Sequence, residues 1–227
     1  MEAEKSCPNN ARPKVSVISI ALQAEEFTPL RQALSRQTFQ DFEFVGEIGG
    51  AIPEAWNRAI ERARGDILVF TETDAMPVTD RWLDELVKSI PDENTVVKGL
   101  EVTGFPWDLA NLAGHRNHFT NAKFDQAYSW AEDTEFFCRL KEDGVRLLQL
   151  NTAPVIHPGK LSSKHMHRRA FRYGLYWARL RNRFQDPVEL MGVAAAGKVL
   201  VGALLNLLGM MVGSLIYWPE RRRRRVN

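Results

Sequence analysis

The segment from residue 65 to residue 74 places an uninterrupted apolar run directly before two acidic side chains. Every position of the run Ile67–Phe70 is apolar, so a strand formed by it would be buried on both faces. Strands of that kind lie at the centre of parallel sheets that are covered by helices on both sides. Glu72 and Asp74 would then stand at the carboxyl end of a central strand, which is the edge where open α/β sheets bind ligands.

Glu72, Thr73 and Asp74 form an acidic triplet at that edge. The two carboxylates offer hard oxygen ligands, which suit Mg²⁺ or Mn²⁺ bound together with the phosphates of a substrate. A pair of acids after a strand is also common as a plain polar turn before the next helix. Taken alone, the triplet therefore leaves both interpretations open.

Strand and helix patterns alternate three times between residues 14 and 90. β-Branched, mostly apolar segments at 14–20 and 42–48 precede the run at 67–70, and apolar residues at helical spacing follow each of the three. Pro29 and Pro53 stand where first helical turns are expected. This alternation predicts right-handed βαβ connections and a mostly parallel, Rossmann-like α/β sheet flanked by helices.

The pattern is less regular beyond residue 95. We expect a strand at 95–102, then a loop with short elements over 105–128, and short strands at 145–150 and 154–156. Between the loop and those strands, Ser129 and Glu132 have the spacing of a capping box at the start of a helix. Glu132 would be engaged in that box, which leaves Asp133 free in the first helical turn.

The net charge of +2 conceals an uneven distribution. From residue 160 onward there are 14 lysines and arginines against 3 acids, whereas residues 1–159 carry 16 against 25. A basic C-terminal third favours an anionic partner, and a membrane surface is the first candidate. No base-reading motif accompanies the basic residues, so we expect no nucleic acid. Two isolated cysteines fit a reducing compartment, and residues 1–13 lack the apolar core of a secretory signal.

The C-terminal third divides into a basic amphipathic helix at 161–187, a hydrophobic segment at 188–218 and a polyarginine tail at 219–227. Val199–Trp218 reaches the length of about 20 residues that spans a hydrocarbon core, although a buried soluble helix is the alternative. The Gly209-x-x-x-Gly213 spacing would permit close helix packing and, through it, a homo-oligomer. Placing both basic flanks on the cytoplasmic side predicts a monotopic attachment; a single span with an external tail is the alternative.

Several segments, in this order, resemble family 2 glycosyltransferases with the GT-A fold. They are the first strand Val15–Ile20, then Gln37–Glu43, Asn57–Asp66, Phe124-Asp125, Glu132–Glu135 with Arg139-Leu140, and His157. The resemblance covers roughly residues 14–180, and it rests on several short motifs in register. It implies a catalytic domain at 14–160 that transfers a sugar, with inversion, from a nucleotide-sugar donor to a hydroxyl acceptor. The hydrophobic segment favours a lipid-linked saccharide as that acceptor and the cytoplasmic side of a membrane as the location.

The resemblance also implies roles for individual residues. The triplet Glu72-Thr73-Asp74 takes the place that binds Mg²⁺ or Mn²⁺ on the donor diphosphate, Asp133 that of the catalytic base, and His157 that of a residue near the metal. Asn57 falls near the nucleotide, and Glu47 ends the second strand, which lines the base and ribose. The first two strand ends, at 21–25 and 47–50, depart from the family pattern. Nucleotide identity is therefore not specified.

Elementary chemistry is compatible with these roles. A helix N-terminus would hold Asp133 ionised and ready to accept a proton, although acids in a first turn are often only favourable surface charges. His157 could bind a metal through a neutral imidazole or serve as a polar turn residue. The arginines of the basic helix, Arg169 among them, would contact lipid phosphates or an acceptor diphosphate, and a solvated basic face is the alternative.

Two rival functions remain from the sequence. A sugar nucleotidyltransferase would carry a glycine-rich phosphate loop after the first strand, and residues 21–26 offer none. A non-catalytic, glycosyltransferase-like membrane scaffold is favoured by the altered strand ends and disfavoured by the retained Glu72, Asp74 and Asp133.

Overall fold

A computed structural model describes residues 12–102, 108–129, 131–158, 166–184 and 207–212; for 166–170, 173 and 177 it describes the backbone alone. Three strand-and-helix units open the chain. They comprise β1 (Val15–Ala21), a 3₁₀ turn (Ala24–Phe27), α1 (Thr28–Ser35), β2 (Phe42–Ile48), α2 (Ile52–Arg62), β3 (Ile67–Phe70), β4 (Met76–Pro77) and α3 (Trp82–Lys88).

The second half contains shorter elements. These are β5 (Thr95–Lys98), β6 (Leu112–His115), α4 (Arg116–Asn121), α5 (Glu132–Glu142), β7 (Arg146–Gln149), β8 (Val155–Ile156) and α6 (Met166–Arg183). Residues 207–212 are also helical. The predicted strand at 95–102 ends early, at Lys98, and Glu101 makes only an isolated bridge with Val155.

Six strands form the central sheet in the order β2-β1-β3-β6-β5-β7. β6 runs antiparallel to both of its neighbours, and the other five strands share one direction. The mostly parallel α/β sheet expected from the alternation is therefore confirmed, and all four residues of β3 are buried near its middle. The interpretation of 105–128 as loop with short elements missed that β6 belongs to the central sheet, because Leu-Ala-Gly-His has neither strand periodicity nor β-branched residues.

Helices cover both faces of the sheet with apolar cores. On one face, α1 and α3 bury Leu30, Leu34, Trp82 and Leu86 against β1 and β3. On the other face, Phe70 of β3 packs between Trp56 and Phe119, with ring centroids 5.4 and 4.6 Å apart. Leu180 of α6 belongs to the same cluster, so α6 is part of the domain core. Each such buried side chain contributes about 1.5–3 kcal/mol of transfer free energy.

The predicted capping box at the start of α5 is wrong. The N-cap is Ala131, in the left-handed region with φ 62°, and no side chain caps the helix. The Ser129 hydroxyl is instead hydrogen-bonded to the Tyr176 hydroxyl of α6, at 3.1 Å. Ser129 therefore ties the segment before α5 to α6.

The hydrophobic segment at 188–218 lies outside the described residues except for 207–212, and the N-terminus before residue 12 and the polyarginine tail lie wholly outside them. Among the residues that the structure does describe, no helix combines the length and apolarity needed to cross a bilayer. Gly209 packs within the chain: a Cβ there would lie 2.3 Å from the Phe171 carbonyl oxygen of α6. Its lack of a side chain thus serves an intrachain helix contact.

Candidate metal and transfer site

The acidic triplet lies where β3 leaves the sheet. Glu72 and Asp74 are half-buried, and the Ala75 amide donates to the Glu72 carbonyl at 3.1 Å, which turns the chain back toward β4. β4 pairs with β8, with Met76 opposite Ile156. Because His157 follows β8 directly, this small ribbon brings its imidazole to the triplet from a point more than eighty residues away in the sequence.

Glu72, Asp74 and His157 converge on one point. His157 Nε2 lies 3.3 Å from Glu72 Oε2 and 3.4 Å from Asp74 Oδ1. The three ligand atoms lie within 4.8 Å of one another, close enough to share a metal ion. Two carboxylates and one imidazole fit Mg²⁺ or Mn²⁺. The structure therefore assembles the three residues that the sequence proposed as metal ligands, and their chemistry fits the ion.

A second group of charges, missed by the sequence analysis, surrounds the other edge of His157. His157 Nδ1 lies 2.5 Å from Glu101 Oε1. Lys98 Nζ lies 2.7 Å from Glu101 Oε2 and also pairs with Asp108. The Lys98 side chain is wholly buried and that of Glu101 is 3% exposed. The only sequence signal was a lysine closing an apolar strand pattern, three residues before a glutamate.

These contacts set the protonation of the cluster. The hydrogen bond to Glu101, and then that to Glu72, raise the pKa of His157 to about 10 against the opposing effect of burial. Burial acts to raise the pKa of Glu101, but the hydrogen bond from His157 and the charge of Lys98 together lower it. Burial raises the pKa of Asp108 to about 6. These contacts favour the imidazolium form of His157, and a divalent cation at Glu72 and Asp74 would take the place of the proton on Nε2.

Asp133 lies in the first turn of α5, and its Oδ1 accepts from the Thr134 amide at 2.6 Å and the Thr134 hydroxyl at 3.2 Å. The expectation that the helix N-terminus keeps it readily ionised is wrong in direction. Burial raises the pKa of Asp133 more than the hydrogen bonds from Thr134 lower it, and the nearby charge of Glu72 adds to the increase. A raised pKa brings a carboxylate closer to the range in which a general base works best.

Two residues expected near the nucleotide are engaged within the protein. The Glu47 carboxylate is 2.8 Å from Arg58 Nε and 2.7 Å from Arg62 Nη1. The buried Asn57 amide donates to the Phe124 carbonyl at 2.9 Å, and its oxygen accepts from the Phe124 amide at 2.8 Å. The structure thus gives Asn57 a role in fixing the segment after α4 to α2, and the expected nucleotide contact stays a prediction.

A cleft of about 360 Å³ opens beside the triplet, a size within the usual range for small-molecule sites. Thr73, expected to contact the donor, lines it together with Asp74, and Glu25, Glu26, Pro29 and Met76 complete the lining. The two glutamates belong to the turn after β1. The family resemblance placed the end of the first strand beside the nucleotide, but no role was predicted for these two glutamates, because that turn departs from the family pattern.

Two arginines of α6 contact other parts of the domain. Arg183 Nη1 lies 2.8 Å from the fully buried Glu135 carboxylate and 3.1 Å from Asp125. Arg179 Nη1 donates to the Ala127 carbonyl at 2.8 Å, and its guanidinium lies 4.4 Å from the Tyr128 ring centroid. These two arginines were expected to contact lipid or acceptor phosphates, and in the structure they contact groups within the domain. The side chain of Arg169 lies outside the described residues.

Three of the solved structures with a similar arrangement of elements are a mannosyltransferase, a part of S. aureus TarS and a mycobacterial protein. The mannosyltransferase PcManGT from Pyrobaculum calidifontis, in complex with GDP-Man and Mn²⁺, is similar with a TM-score of 0.60 and 14% identity, over 96% of this chain and 84% of that one. S. aureus TarS residues 1–349 in complex with UDP are similar with a TM-score of 0.52 and 17% identity, over 75% of this chain and 71% of that one. The mycobacterial protein is similar with a TM-score of 0.56 and 17% identity, over 78% of this chain and 76% of that one.

The chain has a GT-A-like fold. At identities of 14–17% the similarity establishes the fold alone. Comparison of the sequence with protein-family models and with curated proteins gave no match. Any assignment of chemistry therefore depends on the site itself.

Proposed function

We propose that this protein is an inverting, metal-dependent glycosyltransferase of the family 2 type, which moves a sugar from a nucleotide-sugar donor to a hydroxyl acceptor. The observation that carries the proposal is the convergence of Glu72, Asp74 and His157 at the carboxyl end of the central strand. It is supported by the fold shared with PcManGT, which was solved with a sugar nucleotide and Mn²⁺.

Glu72, Asp74 and His157 would hold Mg²⁺ or Mn²⁺. When bound, the ion supplies positive charge against the negative charge that develops on the leaving diphosphate. The cleft lined by Thr73 and Asp74 adjoins these ligands and gives the donor a place to bind. Glu25 and Glu26 also line the cleft, and their negative charges disfavour a phosphate beside them, which favours the metal ligands as the place for the diphosphate.

Asp133 is the base in this proposal. It takes the proton of the acceptor hydroxyl while the acceptor oxygen forms its bond to the anomeric carbon and the bond to the diphosphate breaks. Attack from the face opposite the leaving group inverts the configuration. The raised pKa of Asp133 supports the role, because a base with a pKa nearer the working pH transfers protons more effectively.

The acceptor is a lipid-linked saccharide, reached from the cytoplasmic side of a membrane. Support comes from the excess of positive charge after residue 160 and from the exposed apolar side chains Leu207, Leu208 and Met211 on the helix that packs on α6. Protease protection of an epitope after Asn227, in sealed inverted vesicles, tests the monotopic attachment. A tag shielded in the lumen would instead demonstrate a single span.

A non-catalytic scaffold is the second candidate. The internal use of Glu47 and Asn57 favours it, because both were expected to serve the nucleotide. Incubation with a panel of sugar nucleotides and saccharide acceptors, followed by detection of the released nucleoside diphosphate, distinguishes a transferase from a scaffold. A transferase releases diphosphate with at least one donor, and Asp133→Asn lowers the rate about 10²–10⁴-fold while donor binding is kept. No release with any donor, or an unimpaired Asp133→Asn, contradicts the proposal.

A further inference from the structure

Glu101 lies behind His157, on the side away from the triplet. We infer that Glu101 is a positioning residue, which orients the His157 imidazole so that its Nε2 faces the metal ligands Glu72 and Asp74. The inference rests on the metal site of the proposed function and deepens it.

The two ring nitrogens of His157 have separate partners. Nδ1 lies 2.5 Å from Glu101 Oε1, whereas Nε2 lies 3.3 and 3.4 Å from the triplet carboxylates. An imidazole that donates its Nδ1 proton to a carboxylate presents its lone pair at Nε2 once it is neutral. A carboxylate behind a ligating histidine thereby fixes both the tautomer and the ring orientation.

Glu101 is itself held rigidly. Its other carboxylate oxygen accepts from the buried ammonium of Lys98 at 2.7 Å. The backbone around it is paired with the segment that leads to His157: the Val155 amide donates to the Leu100 carbonyl at 2.9 Å, and the Val102 amide to the Val155 carbonyl at 3.0 Å. Glu101 and His157 are thus fixed relative to each other through two adjoining backbone segments.

The carboxylates behind His157 do not form a second cation site. Glu101, Asp108 and His157 lie close enough to share an ion. However, the ammonium of Lys98 already pairs with both Glu101 and Asp108. A divalent ion there would be placed beside a buried positive charge. Glu101 is therefore assigned to orientation rather than to direct ligation.

Binding of Mn²⁺ alone to the full chain, followed by the electron paramagnetic resonance signal of free Mn²⁺, tests the inference without any turnover. Glu101→Ala is expected to weaken Mn²⁺ binding about 10–100-fold. Glu101→Gln, whose amide oxygen still accepts from Nδ1, is expected to weaken Mn²⁺ binding less than Glu101→Ala does. Asp108→Asn is the matched control, because it also alters the surroundings of Lys98 but lies 3.9 Å from His157 Nδ1; its affinity should stay within about twofold.

A double-mutant cycle separates positioning from a general structural effect. If Glu101 acts through His157, Glu101→Ala adds no further loss in a His157→Ala background. Additive losses, or an Asp108→Asn loss equal to that of Glu101→Ala, would overturn the inference while leaving the metal site intact. Failure of the wild-type protein to bind Mn²⁺ would reject the metal site and the inference together.

Discussion

Arg183 near the end of α6 provides a quantitative test of the way this helix joins the domain. Its Nη1 lies 2.8 Å from the Glu135 carboxylate, which is completely buried and also receives three hydrogen bonds from Arg139. Removal of one partner of a buried ion pair typically costs about 3–5 kcal/mol. Because Arg139 remains and the Arg183 side chain is 27% exposed, we expect Arg183→Met to lower the free energy of unfolding by about 1.5–3 kcal/mol.

Thermal and urea unfolding of the full chain, followed by circular dichroism, measure this loss. For a chain of this size it corresponds to a decrease in Tm of about 3–12 °C. Arg181→Met is the matched control: Arg181 is exposed on the same helix, and its substitution should change stability by less than about 0.5 kcal/mol. Equal effects of the two substitutions would show that Arg183 does not stabilise the domain and would refute the ion-pair reasoning.

Three further outcomes are expected. Asn57→Ala should lower the free energy of unfolding by about 2–4 kcal/mol, because two buried backbone groups of Phe124 lose their partners; the exposed Asn117→Ala serves as control, and a loss below about 0.5 kcal/mol contradicts the clamp. With chelator present, the imidazolium pairs should stabilise the protein fully below pH 6.5, and this stabilisation should be lost as the pH rises toward 10; urea midpoints of wild type and His157→Gln that keep a constant difference across that range refute it. In a Cys7→Ser background, Cys138 should react with a thiol reagent only on unfolding, since burial raises its pKa to about 12; rapid labelling of the native protein is the contrary result.

The central sheet was predictable because its strands carry strong local patterns. The apolar run Ile67–Phe70 indicated a fully buried strand, and that strand lies in the middle of the sheet. β6 was not predictable, since its four residues carry no strand pattern of their own and it forms only by pairing with β3 and β5. The alternation of strands and helices thus identifies the fold class, whereas the insertion of a short antiparallel strand depends on tertiary pairing.

The gathering of Glu72, Asp74 and His157 was anticipated, but their surroundings were not. Lys98, Glu101 and Asp108 lie close together in the sequence, but their burial and their contact with His157 arise only in the folded domain, where Glu101 bridges Val155 of β8. The error about Asp133 has a similar origin. A helix N-terminus is visible in the sequence, whereas the burial that raises the pKa of this carboxylate is a property of the packed domain.

Metal-dependent binding of a sugar nucleotide is the property on which the proposed function depends. Isothermal titration of the full chain with a panel of sugar nucleotides would be compared in Mn²⁺ and in chelator, for wild type and for Asp74→Asn. We expect at least one sugar nucleotide to bind in Mn²⁺, and we expect chelator or Asp74→Asn to abolish this binding. A sugar nucleotide that binds with the same affinity under all of these conditions would contradict this expectation.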